Sequence, residues 1–415
     1  MRLRLSLLRN REFLKLWAGQ TVSVFGDQIT VLALPLAAVL TLDASAFEMG
    51  LLTALAWLPH LLFSLHAGVW IDQRGRRRAT MIAADLGRAA VIASVPVAFV
   101  LDALTMPHLY AVAFLHGTLS VFFDLSWSTI FVSIVPRTEF VDANSKLFQS
   151  RSLSYVAGPS IAGVLVQLLR APFALGADAV SFIGSALFLA RIRVAEPEPD
   201  RSSEERLRTR LAAGMRFILG NAMFRASLLS FSTINFFNLM FGALFVLYAT
   251  RELHVKPREL GLIVGSAAVG GLIGAVAAPR LSRAIGVGPS LVFGTLLFPL
   301  PLMLVPAAGG SHRLVLALLF VAEFVSSLGV MILDVNGNSI GAALSPDRLR
   351  ARISGAHRVV NYGVRPIGSL LAGVLGQTIG LRPTLWIAAG GATLAFLWLL
   401  PSPLPSLREL PDQAA

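Results

Sequence analysis

"GVWIDQRGRRR", Gly68 to Arg78, ends a long and nearly uninterrupted apolar run and turns the chain through an aspartate, a glycine and four arginines. A helix emerging from hydrocarbon into water leaves in this way. The whole chain supports that solvent: of 415 residues, 55% are hydrophobic and only 14% charged, where a water-soluble domain carries about a quarter charged residues. Apolar runs recur, and each run of roughly twenty residues can cross a hydrocarbon core ~30 Å thick as a helix. The composition therefore predicts a polytopic membrane protein. It has no cysteine, which excludes disulfides, thiolate metal sites and cysteine nucleophiles. The net charge of +12 sits at the ends of the apolar runs, so no nucleic-acid partner is expected. The basic N-terminus, "MRLRLSLLRNREFLKLW", runs straight into a span without a small-residue cleavage site. It reads as the first membrane helix and not as a removable signal.

Gly, Pro and charged breaks divide the chain into twelve expected spans, at 13–40, 48–71, 79–101, 107–135, 147–168, 172–190, 223–249, 259–281, 288–308, 313–343, 359–380 and 383–400. With the N-terminus inside, only Arg170, Arg251, Lys256, Arg258, Arg313 and Arg382 of the 35 Lys and Arg fall outside. That asymmetry follows the positive-inside rule and puts both termini in the cytoplasm. The expected organisation is a six-helix half at 1–190, a cytoplasmic linker with an interfacial helix at 191–221, a second six-helix half at 222–400 and a tail at 401–415.

The halves repeat at an offset of 210 or 211. "NREF" at Asn10 matches "NAMF" at Asn221, "EMGLL" at Glu48 matches "ELGLI" at Glu259, and "FFDLS" at Phe122 matches "ILDVN" at Ile332. Pro136 pairs with Pro346, and "AGVL" recurs at Ala162 and Ala372. Two six-helix repeats related by an axis along the membrane normal are a known transporter architecture. The opening stretch then resembles the motif between helices 2 and 3 of the major facilitator superfamily, G-x-x-x-D-x-x-G-R-[RK], matched by Gly68, Asp72, Gly75, Arg76 and Arg77, with Arg74 as the common basic residue before the second glycine. "LWAGQTVSVFGDQITVLALPL", with Asp27, resembles the branch of macrolide-efflux proteins and the enterobactin exporter. The resemblance implies an all-α bundle of twelve transmembrane helices in the major facilitator fold, a bacterial plasma (inner) membrane location, a monomer and no cofactor.

It also implies roles. Asp72 would act as a cytoplasmic latch, with a partner at the start of helix 11 near Arg358 to Asn361; a purely topogenic basic loop is the simpler reading. "SLSYVAGPSIAGVL" resembles the antiporter motif of exporting members: Gly158, Pro159 and Gly163 match, while Ser154 and Ala162 replace glycines. Ser154, Gly158 and Ala162, four apart on span 5, and Ser266, Gly270 and Gly274 on span 8 predict facing small-residue seams.

Carboxylates within spans usually face a cavity or a partner. Asp27 (span 1), Asp124 (span 4), Glu323 and Asp334 (span 10) are candidates for proton coupling or cavity lining, with Asn235 and Asn238 on span 7 and Asn238 the repeat partner of Asp27. Structural ion pairs are the competing reading. Asp85 and Arg88 are expected to pair, and Arg365 to pair near the cytoplasmic gate. Asp178 reads as either peripheral or functional. His60, His66 and His116 lack metal-ligand spacing along the chain and read as satisfied core histidines, so no metal is expected. The R-x-x-Q-G pattern of many drug/proton antiporters is absent: its arginine would fall at Ala113 and His116 precedes Gly117.

Nucleotide-binding motifs and hydrolytic constellations are absent, so neither ATP drive nor enzymatic activity is expected. The favoured function is a secondary exporter, proton-coupled and antiporting, for a small, fairly hydrophobic compound such as a drug, antibiotic or siderophore. Its expected partners are that substrate, protons and the lipid bilayer. The alternatives are a proton-coupled uptake symporter and a non-transporting membrane receptor or assembly protein of the same fold.

Overall fold

The computed structural model describes Leu7, residues 10–194, Glu196 and residues 207–410; the side chains of Leu65, Val69, Asp72, Leu207, Arg208 and Arg210 lie outside the described set. Helices α1 (Arg11–Thr41), α2 (Ala46–Arg74), α3 (Arg77–Val100), α4 (Met106–Ile134), α5 (Phe140–Leu169) and α6 (Ala171–Ala190) stand at the first six expected spans. A connector helix, α7 (Leu207–Gly220), precedes α8 (Ala222–Arg251), α9 (Pro257–Ile285), α10 (Val287–Leu297), α11 (His312–Leu344), α12 (Arg350–Thr378) and α13 (Leu381–Thr393). No strand occurs among the described residues.

Ten of these helical segments are long and apolar enough to cross a membrane on their own: α1 to α6, α8, α9, α11, and α10 continued to Ala307. The last of these breaks after Leu297, where Pro299, Pro301 and Pro306 remove backbone donors and the chain continues through a 3-10 turn and a short helical turn. The other two stand at the places of spans 11 and 12. Arg350, Arg352, Arg358 and Arg365 make α12 too polar to qualify alone, and α13 is short, continued by a 3-10 stretch at Leu394–Trp398. The fold is the expected twelve-helix, two-repeat membrane bundle.

The repeat shows in atomic detail at the helix ends. Asn10 caps α1 by accepting from the N–H groups of Glu12 and Phe13, and Asn221 caps α8 by accepting from those of Met223 and Phe224. A side-chain acceptor at this position satisfies donors the helix cannot. Glu48 accepts the Ser45 N–H at 2.7 Å, and its repeat partner Glu259 accepts the Lys256 N–H at 2.9 Å. Left-handed backbone recurs at the same offset: Asp43 and His254 (φ 53° each), Gly75 (65°) and Gly286 (99°), Arg170 (70°) and Gly380 (95°). This region disfavours side chains other than glycine, so its recurrence in three places records one turn plan used twice.

Two compact units form. Unit 1 holds Met1–Ala44, Leu55–Glu204 and Lys256–Leu262; unit 2 holds Ser45–Ala54, Glu205–Val255 and Ile263–Ala415. In unit 1, Phe13 and Leu16 of α1, Met81 of α3, Phe123 and Ile130 of α4, Leu147 of α5 and Leu189 of α6 share one core. In unit 2, α7 puts Ile218 against Phe224 and Leu228 of α8 and against Ile353 and Ala356 of α12. Gly214 lies so close to the Arg352 carbonyl oxygen that a side chain would collide with it. The amphipathic connector is thus docked on protein. Residue 195 and residues 197–206 of the expected linker, and 411–415 of the tail, lie outside the described residues.

The small-residue seams take other partners than expected. Gly158 meets the Gln28 side chain on α1, while Gly270 and Gly274 meet the backbone of Phe324 and Leu328 on α11. Within unit 1 the close contact of α5 and α9 lies one turn on, at Gly163 against Gly261, where a Cβ on Gly163 would stand 3.1 Å from the Gly261 Cα. Within unit 2 the repeat-equivalent pair is Gly50 against Gly373, at 2.7 Å by the same measure. Four-residue spacing gives a face but not a partner, because helix rotation depends on the whole bundle.

Candidate functional site

In unit 1, four helices bring charge together. Arg88 of α3 is 2% exposed. Its guanidinium pairs with Asp85 one turn earlier, reaches Asp27 of α1 at 3.9 Å, and lies over the rings of Phe123 at 4.4 Å and Phe182 at 4.2 Å. Asp178 of α6, 0% exposed, accepts hydrogen bonds from the Thr30 hydroxyl and, at 2.8 Å, from the Ser181 hydroxyl. Gly26 makes this possible: a Cβ there would overlap the Asp178 carboxyl and the Ser181 hydroxyl. One ligand atom each from Asp27, His116 and Asp178 lies within 4.8 Å of the others, a spacing at which three such groups can surround one cation. The Nε2 atom of His116 is shielded and has no hydrogen-bond partner among the described residues. The expectation of a satisfied core histidine therefore fails for His116. Sequence spacing could not reveal the grouping, because the three residues come from α1, α4 and α6.

Asp178, left open by the sequence, belongs to this cluster. Asp124, in contrast, stands exposed on α4. Glu323 is half-buried on α11 and makes no hydrogen bond or ion pair among the described residues. Neither joins a described side-chain network.

Unit 2 contains a cavity of about 490 Å³ between α8, α11 and α12. Asn235 and Asp334 line it as expected; Asn238, three residues further along α8, does not. The sequence missed its centre, a relay along one face of α12. Arg365 donates through Nε and Nη2 to the Asn235 Oδ1 at 2.9 and 2.7 Å, and Asn235 donates to the Asn361 Oδ1 at 3.0 Å. Asn361 in turn lies 3.0 Å from the His357 Nδ1. His357, Asn361 and Arg365 are four apart in sequence, a signal that was legible but unused. Arg365, expected to pair near the cytoplasmic gate, bonds here with Asn235 of α8. Phe231 packs edge-on to His357 and against Gly337, where a Cβ would stand 2.6 Å from the Phe231 ring.

At the opening motif, Gly75 turns the chain with positive φ and Arg74 lies 4.4 Å over Trp70. Arg76 and Arg77 begin α3, and Gly68 has open space beside it. An unforeseen partner completes the turn. The Glu196 carboxylate accepts the backbone N–H groups of Arg77 and Arg78 at the α3 N-terminus, and Arg78 also donates to the Ile192 carbonyl. Asp72 lies in the last turns of α2, with its side chain outside the described set. The expected partner at a helix start near Arg358 is corrected: α12 begins at Arg350, so Arg358 to Asn361 lie in its third and fourth turns. The polar turns before the apolar run are also helical, since hydrogen bonding along a helix does not stop at the lipid boundary.

A duplicated bundle of apolar helices with buried charge in one unit and a polar cavity in the other is the build of a major facilitator transporter. Residues 4–414 match the family described as transmembrane secretion effector, and the chain belongs to that family. It is 28% identical over 405 residues to the multidrug efflux pump Tap of Mycolicibacterium fortuitum, covering 93% of each chain. It is 27% identical over 420 residues to the multidrug efflux pump Tap of Mycobacterium bovis, covering 97% of this chain and 95% of that one. Among solved structures, an inward-facing bacterial homologue of the iron transporter ferroportin matches with a TM-score of 0.78 at 18% identity, over 94% of this chain and 98% of that one. A bacterial homologue of the lysosomal transporter Spinster matches with a TM-score of 0.74 at 14% identity, over 99% of each. At such identities the structural likeness is one of fold.

Proposed function

We propose that this protein exports small, fairly hydrophobic compounds, drugs among them, against inward proton movement by alternating access. It would work as a monomer in a bacterial inner membrane, with both termini cytoplasmic and the Gly68–Arg77 motif as the cytoplasmic gate. Relatives called multidrug efflux pumps, similar along nearly the whole chain, support the direction. The observation that carries the coupling is the Asp27–Arg88 contact. Arg88 is shared with Asp85, so Asp27 can exchange its half of that cation for a proton while Arg88 keeps a partner. Asp85, Asp124, Asp178 and His116 are among the titratable groups on the surrounding helices of unit 1, with His60, His108 and Arg151. The cation beside Asp27 comes from α3, which accommodates the missing arginine at Ala113.

The test is accumulation of a hydrophobic cationic dye such as ethidium in everted vesicles with an imposed pH gradient. Wild-type protein should concentrate the dye. Asp27→Asn should reach the membrane at normal levels and lose gradient-driven uptake. Absence of gradient-dependent uptake by a panel of hydrophobic compounds would overturn the exporter reading; normal coupling in Asp27→Asn would remove Asp27 from the mechanism.

A further inference from the structure

We propose that Asp27, His116 and Asp178 form a binding site for a divalent first-row transition-metal ion, of the class of Zn²⁺, Mn²⁺ or Co²⁺, among α1, α4 and α6 of unit 1. Chain spacing gave no reason to expect a metal, because the three ligands stand on three helices. The site goes beyond the exporter reading and does not depend on it.

Geometry is the first argument. One ligand atom from each of the three residues lies within 4.8 Å of the other two. Bonds of about 2.1 Å to one ion put ligand atoms roughly 3–4 Å apart, within a small side-chain adjustment of this spacing. Gly26 sets the approach of α1 to α6, since a Cβ there would overlap the Asp178 carboxyl. The Thr30 and Ser181 hydroxyls donate to Asp178. They orient it without supplying charge, as the outer partners of metal ligands do. The second argument is His116. Its Nε2 atom is shielded and has no hydrogen-bond partner among the described residues, and its ring lies 5.7 Å from that of Phe182. A shielded imidazole nitrogen left unbonded is costly, and a bound ion would satisfy it.

Charge is the third argument. Within this group Asp27, Asp85 and Asp178 share the cation of Arg88, which pairs with Asp85 and reaches Asp27 at 3.9 Å. With the carboxylates ionised, two negative charges are left over, and a divalent ion balances them. Buried charges are paired or coordinate metals. The donor set fixes the class: an imidazole with carboxylates suits a first-row transition metal, whereas Mg²⁺ and Ca²⁺ take oxygen ligands. The Asp27 side chain is 33% exposed, which leaves one side of the group open for an ion to enter. At the repeat offset the three positions hold Asn238, Ser326 and Ala388. The duplicated scaffold therefore packs without a carboxylate or an imidazole at any of them.

The test uses the full chain, without a polyhistidine tag, in phosphatidylcholine nanodiscs. Cobalt chloride is titrated in and followed by calorimetry and by the visible absorption of bound Co²⁺. The wild type should bind one equivalent per chain, displaced by zinc chloride and not by an equal concentration of magnesium chloride. His116→Gln and Asp178→Asn should each weaken Co²⁺ binding by at least about tenfold, since the outer partners of metal ligands alone are worth roughly 10–100-fold. His66→Gln, at an exposed position of α2, should bind as the wild type does. Absence of a saturable equivalent in the wild type, which needs no variant to fold, would overturn the proposal. So would an unchanged affinity in His116→Gln or Asp178→Asn, or a matching loss in His66→Gln. Displacement by magnesium would overturn the transition-metal class. Binding in discs needs neither gradient nor substrate, so failure here leaves proton-driven export standing, and a failed vesicle assay leaves the metal site standing.

Discussion

Gly26 shows how much one missing methyl group decides. Its absent side chain is the space in which Asp178 and Ser181 lie against α1. Gly26→Ala should cost about 1–3 kcal/mol, the usual range for overpacking a filled core, and should lower the thermal midpoint of the purified protein by several degrees. The contact is with short side chains that are hydrogen-bonded in place, so relaxation is expensive. A midpoint within a degree of wild type would mean that Asp178 moves aside freely. The sequence offered Asp27 as one of several intramembrane acids; it did not offer the glycine beside it, because steric need is a property of two helices in contact.

At the scale of elements, the N-terminus of α3 is held by a carboxylate from beyond α6. Backbone donors in the first turn have no partner within their own helix, and Glu196 satisfies two of them at Arg77 and Arg78. Glu196→Ala should therefore destabilise by about 1 kcal/mol, the usual worth of a helix cap. It should also speed trypsin cleavage within Arg74–Arg78 in everted vesicles. Unchanged cleavage would show that the basic turn is fixed by its own residues. The sequence placed most helices to within a few residues, but α5 and α12 begin earlier than their apolar runs, and α10 and α13 end before theirs. Span ends follow hydropathy, whereas helix ends follow hydrogen bonding, and the two part company in polar turns.

At the scale of the whole molecule, the twelve-helix reading makes a topological prediction, and the lack of cysteine makes it simple to check. Asp102 and Thr138, both exposed, lie beyond opposite ends of α4. Asp102→Cys should react with an impermeant maleimide from outside the cell. Thr138→Cys and Arg348→Cys, which follow the repeat-equivalent helices α4 and α11, should react only in everted vesicles. Labelling of Thr138 and Arg348 from different sides would break the two-repeat topology.

The chain by itself determined its solvent, its helices, its duplication and its family, since each is written in local hydropathy or in residues a fixed distance apart. Asn10 and Asn221, or Glu48 and Glu259, keep their meaning in isolation because a helix cap acts over three residues. Only the tertiary structure decided which charges meet between helices. Asp27, Arg88, His116 and Asp178 come from four helices, and Asn235 meets Arg365 across 130 residues of chain. Those meetings depend on how each helix is rotated, and rotation in lipid is set by packing against neighbours, which an apolar sequence facing an apolar solvent does not record.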